Sequence, residues 1–317
     1  MDYILAMVVS LSIALIIMPF LMKLANKLHF TDKPNKRKQH KAPTPLCGGI
    51  ALYIGFFISY FIFYKDDDMK KQLAIFVAAT MIVLIGLIDD WYKSKGKEFA
   101  IFPRLVIQLL SAILVFKAGI FFRGFTNPFT NSYIELNSTI QFILTITWIF
   151  GVTTVINWSD GMDGLAGGLS LISAITFFLA ALILDQGKSA LLSIILGGTI
   201  LGFLYYNKFP AKVFMGDSGA NFLGFILSIT ALDGAFKQAT VMSLFIPILA
   251  LAVPIFDNLF VIFKRFSEGK PVYQADRSQI HFRLEEKGFT TVQVINYIML
   301  ISLTFSIFSI ILLLVKQ

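Results

Sequence analysis

A run of long apolar blocks decides what this chain can fold into. Ten blocks follow one another at 3–25, 46–64, 72–88, 104–122, 139–156, 166–184, 189–206, 219–236, 241–263 and 292–315. Each falls in the range of about 17–25 residues that crosses a bilayer as a helix. A helix satisfies its backbone polar groups internally, which hydrocarbon demands. The expectation is an all-α, polytopic integral membrane protein with about ten transmembrane helices. Composition agrees: 56% of residues are hydrophobic, 15% are charged and the mean hydropathy is +0.76, beyond the range of soluble domains. No internal repeat, Ser/Gly linker or low-complexity stretch divides the chain, so residues 1–317 read as one membrane domain. The first block opens Met-Asp, without a basic n-region or a small-residue cleavage site, and reads as a retained first span. The single Cys47 leaves no intrachain disulfide to form.

Basic residues set the expected orientation. Of the 27 Lys and Arg residues, nineteen fall on one set of alternate loops, from Lys23 through Arg104 to Lys287. Eight fall on the other: Lys65, Lys70, Lys71, Lys117, Arg123, Lys188, Lys237 and Lys316. The richer set is expected in the cytoplasm, with both termini outside. In a soluble protein a net charge of +8 would suggest nucleic acid. On the loops of a membrane protein it sets orientation and attracts anionic lipid, so membrane lipid is an expected partner and nucleic acid is not. The outward segment 123–138 carries the turn chemistry of a small hairpin. The inward stretch from Arg277 to Glu286 reads as a short amphipathic helix.

Acidic and amide residues collect on the basic-rich loops. Asp89-Asp90 directly follows an apolar run. Asn157-x-x-Asp160-x-x-Asp163 carries two Asp-Gly steps. Asp217 lies in Gly216-Asp-Ser-Gly219, Asp257 sits inside the ninth block, and Asp276 opens the last loop. Carboxylates are costly near hydrocarbon, and a divalent metal holding phosphates would give them a common purpose. Each also has a plainer reading. Asp89-Asp90 before Trp91 and Tyr92 is an ordinary polar stop with an interfacial aromatic pair, although adjacent Asp residues repel unless a cation is near. Asn157, Asp160 and Asp163 share a face if the stretch is helical, whereas Gly161 and Gly164 instead allow a tight turn. Asp217 is either an N-cap or an oxygen ligand for Mg2+ shared with substrate phosphates. Asp257, near Pro254, is either a site residue or a hydrogen-bonding partner in the bundle. Lys41, in Lys41-Ala-Pro-Thr44-Pro-Leu-Cys-Gly48-Gly49, stands apart from the purely topogenic Lys36, Arg37 and Lys38.

In this order the motifs resemble the polyprenyl-phosphate N-acetylhexosamine-1-phosphate transferases of glycosyltransferase family 4. These include phospho-N-acetylmuramoyl-pentapeptide transferase and the enzymes that start wall teichoic acid and O-antigen-type polymers. The resemblance covers nearly the whole chain. It implies a multi-pass enzyme of the bacterial cytoplasmic membrane that moves a sugar-1-phosphate from a UDP-sugar donor to undecaprenyl phosphate, releasing UMP. It implies Mg2+ as cofactor, with Mn2+ as the alternative ion. Matched residue by residue, it makes Asp217 the metal ligand together with Asn157. Phe214 is the aromatic that packs on uracil, and Asn157, Asp160 and Asp163 are nucleotide- and metal-pocket residues. Lys41 is a basic residue of the nucleotide pocket. Asp89 and Asp90 are the acidic pair that activates the lipid phosphate or, in older schemes, attacks.

The last loop departs from the family pattern. The N-acetylglucosamine branch reads Asp-Arg-x-His-Ile-His-His-Arg-Leu, and this chain reads Asp276-Arg-Ser-Gln279-Ile-His281-Phe282-Arg283-Leu284. Gln279, His281 and Arg283 keep polar chemistry suited to a sugar or phosphate, whereas Phe282 has none. The remaining framework is nearer that branch than the muramoyl-pentapeptide branch. Two other readings stay open: an inactive or altered-specificity homologue, prompted by Gln279 and Phe282, and a transporter, which would place its charges near the midplane between repeated halves. Monomer and homodimer are both open.

Overall fold

The computed structural model describes residues 3–33, 42–65, 68–127, 130, 132–234, 241–271 and 276–315. Lys41 lies outside the described residues. The chain forms helices α1 (Tyr3–Lys27), α2 (Gly48–Phe63), α3 (Met69–Ser94), α4 (Ile101–Lys117), α5 (Ser138–Trp158), α6 (Leu165–Ile183) and α7 (Gly187–Asn207). It continues with α8 (Gly216–Asp233), α9 (Val241–Ala250), α10 (Ala252–Ser267), α11 (Ile280–Glu286) and α12 (Thr291–Val315). Among the described residues six helices are long and apolar enough to cross a membrane: α1, α3, α5, α6, α7 and α12.

Each sequence block holds a helix, with two differences. The ninth block is broken into α9 and α10. Pro254 has no N–H to give the carbonyl of Ala250, and the Ser173 hydroxyl on α6 donates to that carbonyl instead, at 2.7 Å. The third helix runs past the expected end at residue 88 to Ser94. Asp89 and Asp90 therefore sit inside it, and Lys93 folds back onto Asp89 one turn earlier.

α8 is the central element. Every residue from Ser218 to Asp233 is buried, enclosed by α2, α3, α5, α6 and α7. Such a helix meets protein rather than lipid on all sides and can carry polar ends. At its C-terminal end Asp233 pairs with Lys71 at the start of α3.

Two small antiparallel pairs complete the fold. β1 (Thr31–Asp32) pairs with β2 (Thr44–Pro45), and β3 (Gly124–Thr126) pairs with β4 (Tyr133–Glu135), the expected hairpin. The segment after β2 is stitched to the approach to α8. Phe214 N–H donates to the Pro45 carbonyl at 2.9 Å, and Gly48 and Gly49 N–H donate to the carbonyls of Phe214 and Met215, each at 3.0 Å.

Candidate active site

The loop after α1, the C-terminal part of α3, the α5–α6 turn, the α7–α8 segment and the α10–α12 segment meet around one cavity of about 720 Å³. That is within the usual size of small-molecule sites. Its lining includes Asp32, Thr44, Asp90, Lys93, Asp160, Asp163, Asn207, Phe214, Asp217, Arg277 and Phe282.

Asp89 and Asp90 are neighbours with different partners. Asp89 is buried, and its Oδ2 takes Arg104 Nη1 at 2.9 Å and Lys93 Nζ at 3.1 Å. The same two cations hold Asp217: Lys93 Nζ lies 2.7 Å from Oδ1 and Arg104 Nη1 3.1 Å from Oδ2. Two cations thus balance two carboxylates. Asp90 faces the start of α8. Its oxygens accept the backbone N–H of Asp217 at 2.8 Å, the N–H of Ser218 at 3.1 Å and the Ser218 hydroxyl at 2.7 Å. Helix starts leave N–H groups unpaired, and here a carboxylate of another helix takes two of them. Asp217 lies within the first turn of α8 and is not its N-cap. Gly216 adopts φ +67°, and a Cβ there would overlap the Asp90 carboxylate.

The segment between α5 and α6 is a turn rather than a helix. Asp163 Oδ2 accepts the N–H of Ala211 at 2.8 Å. Asn207 Oδ1 accepts the N–H of Gly164 at 3.0 Å, while its Nδ2 donates to the Val213 carbonyl at 2.8 Å. These bonds tie the turn to the α7–α8 segment and bring Asp163 and Asp160 to the cavity beside Phe214. The Asp160 carboxylate makes no hydrogen bond or ion pair among the described residues. The surroundings of the cavity, followed by the charges of Asp217 and Asp90, hold its carboxyl above the usual carboxylate range, and its surface is open to solvent.

The structure gathers Asp90, Asp160, Asp163, Phe214 and Asp217 in the lining and sets Asp89 directly behind. Asn157, on the last turn of α5, does not line the cavity. Nor do Gln279, His281 and Arg283. Gln279 Oε1 is buried without a hydrogen-bond partner among the described residues. His281 is 2% exposed, and its ring packs against Gly161, where a Cβ would overlap it. Burial and the charge of Arg277 hold its imidazole down to about 4, so it is neutral near pH 7. Arg283 pairs with Asp257.

Sequence reasoning passed over Lys93 and Arg104 as orientation charges. Lys93 was detectable, four residues after Asp89 on a helix. Asp32 comes to the cavity through its β pairing with Thr44, for which the sequence has no local signal.

Residues 72–235 match the glycosyl transferase family 4 profile. Over 311 residues the chain is 39% identical to a probable undecaprenyl-phosphate N-acetylglucosaminyl 1-phosphate transferase of Bacillus subtilis, covering 97% of this chain and 84% of that protein. The chain belongs to glycosyl transferase family 4. It is a multi-pass bacterial membrane protein. Two further proteins are also similar. The decaprenyl-phosphate N-acetylglucosaminephosphotransferase of Mycobacterium leprae is 32% identical over 305 residues, 87% of this chain and 75% of that one. The phospho-N-acetylmuramoyl-pentapeptide-transferase of Clostridium botulinum is 29% identical over 315 residues, 94% and 92%.

No group of three His, Cys, Asp or Glu side chains among the described residues is placed to hold a metal by itself. Mg2+ shared with substrate phosphates needs only one or two protein carboxylates. Asp160, open to the cavity, without a hydrogen bond or ion pair among the described residues and near the charges of Asp217 and Asp90, is a carboxylate that such an ion would fit.

Proposed function

We propose that this family 4 chain transfers N-acetylglucosamine 1-phosphate from a UDP-sugar to undecaprenyl phosphate, releasing UMP, to start a cell-envelope polysaccharide such as teichoic acid. The observation that carries the reading is the convergence of Asp90, Lys93, Asp160, Phe214 and Asp217 on one cavity, in a chain similar over nearly its whole length to N-acetylglucosamine-phosphate transferases. In this reading the cavity, lined by the basic-rich loops, lies at the cytoplasmic end of a ten-span bundle with both termini outside.

In the reaction an oxygen of the lipid phosphate attacks the sugar-bearing phosphorus of the donor. The bond from that phosphorus to the bridging oxygen breaks, and UMP leaves with the bridging oxygen. A phosphate monoester is already nucleophilic, so positioning and charge stabilisation supply most of the acceleration. Asp217 and Asp160 would hold Mg2+, which when bound neutralises the donor's pyrophosphate and the charge growing on UMP. Asp89, set between Lys93 and Arg104, orients those cations toward the lipid phosphate. Phe214 offers its ring to the uracil.

The test is transfer from radiolabelled UDP-N-acetylglucosamine to undecaprenyl phosphate by the purified protein, with and without Mg2+. Metal-dependent lipid product with stoichiometric UMP supports the reading. Absence of product with every UDP-sugar overturns it.

A further inference from the structure

Asp257 lies on α10, outside the cavity lining, and nothing in the chemistry above uses it. Its side chain is 9% exposed, and such a carboxylate needs partners. Both oxygens accept the backbone N–H of Ile280, at 2.9 and 3.0 Å, and Oδ1 also takes Arg283 Nη2 at 2.8 Å. Ile280 is the first residue of α11, and the Gln279 side chain does not cap that helix. Seven residues are too few for a helix to hold on its own. Its cap and its charge partner both come from α10.

Two turns along α10, Arg265 makes the reciprocal grip. It is 3% exposed and forks onto Asp276, Nε to Oδ2 at 3.2 Å and Nη2 to Oδ1 at 2.8 Å. Its guanidinium also lies over the Trp158 ring, 5.3 Å from the centroid. Asp276 in turn accepts the Ser278 N–H and hydroxyl, at 3.1 and 2.9 Å. The segment from Asp276 to Arg283 is thus fixed at both ends with opposite polarity. An α10 arginine holds its carboxylate, and an α10 carboxylate holds its arginine.

Other residues of the gripped segment face the site. Arg277 and Phe282 line the cavity, with the guanidinium 4.9 Å from the ring centroid, and His281 rests on Gly161 in the Asp160 turn. We infer that Asp257 is a positioning residue for the transfer reaction: through Ile280 and Arg283 it seats α11 so that Arg277 and Phe282 form the donor side of the cavity. The inference rests on the transferase reading for its catalytic consequence, and on geometry alone for the seating of α11.

Asp257→Ala removes the cap and the charge, whereas Asp257→Asn keeps one acceptor for Ile280. The expected result is a rise in donor KM of about tenfold to a hundredfold for Ala, the scale of a small misplacement. The rise should be smaller for Asn, with the KM for undecaprenyl phosphate unchanged in both. A readout independent of turnover uses a nitroxide on Glu286→Cys in a Cys47→Ser background, where the label should become more mobile with Asp257→Ala. Unchanged mobility overturns the inference, as does an equal rise in both KM values alongside a lowered melting temperature. If the parent protein transfers nothing, the transferase reading fails, and the label still decides whether Asp257 seats α11.

Discussion

The carboxylate of Asp90 accepts the backbone N–H of Asp217 at 2.8 Å, so a residue of α3 caps the helix that carries the candidate metal ligand. With the two bonds from Ser218, Asp90 fixes where Asp217 begins relative to Asp89. Two adjacent acids therefore have separable duties. Asp90→Ala should lower the melting temperature in detergent and leave buried donors unsatisfied, at about 1–3 kcal/mol each. Asp89→Ala should spare stability more and turnover less. Melting curves read beside initial rates check this, and equal effects of the two variants would contradict it.

Asp217→Asn keeps the size of the side chain and removes its charge. Lys93 and Arg104 would then both fall to Asp89, and the shared Mg2+ would lose a ligand. Turnover should drop at least about a hundredfold, the upper cost of losing even an outer-sphere metal partner. Activity across a Mg2+ titration checks it. Near-normal rates at saturating Mg2+ would remove Asp217 from the metal site.

Much of this arrangement was readable from residue order. The apolar blocks marked where helices lie, and the Asp-Gly steps at 160–164 admitted a turn as well as a helix, of which the structure shows the turn. Three features were not readable, each for a physical reason. The continuation of α3 beyond Asp90 depends on ion pairs to α4 and α8. The break between α9 and α10 depends on a serine of α6 at the carbonyl that Pro254 cannot serve. The pairing of Arg283 with Asp257 links residues of two helices that the sequence treats as unrelated. Long-range polar contacts have no period, so hydrophobic patterning is blind to them.

The two departures from the His-rich loop pattern separate in space. Phe282 lines the cavity under Arg277, whereas Gln279 is turned away with its amide oxygen buried. Phe282→His should alter the ratio of kcat/KM among UDP-sugars by about tenfold, the scale of one substrate contact. Gln279→His should leave that ratio unchanged. Competition assays with paired donors check both, and a larger shift from Gln279→His would mean that the loop reaches the donor differently.

Stability is expected to depend on pH through His281. Its folded pKa, about 4, lies below the unfolded value of about 6.5, so the unfolded chain takes up the proton first. The stabilisation is complete above pH about 6.5 and is lost as pH falls toward 4, by up to about 1.4 kcal/mol per pH unit. His281→Asn should flatten the melting temperature across that window. Gly161→Ala drives a methyl into the same ring and should destabilise by about 1–3 kcal/mol. Combining it with His281→Ala opens space for the methyl and should restore part of that loss. Thermal melts at pH 7.5 and 5 on the two single variants and the pair measure all three effects. A pH slope that survives in His281→Asn would assign it to another group.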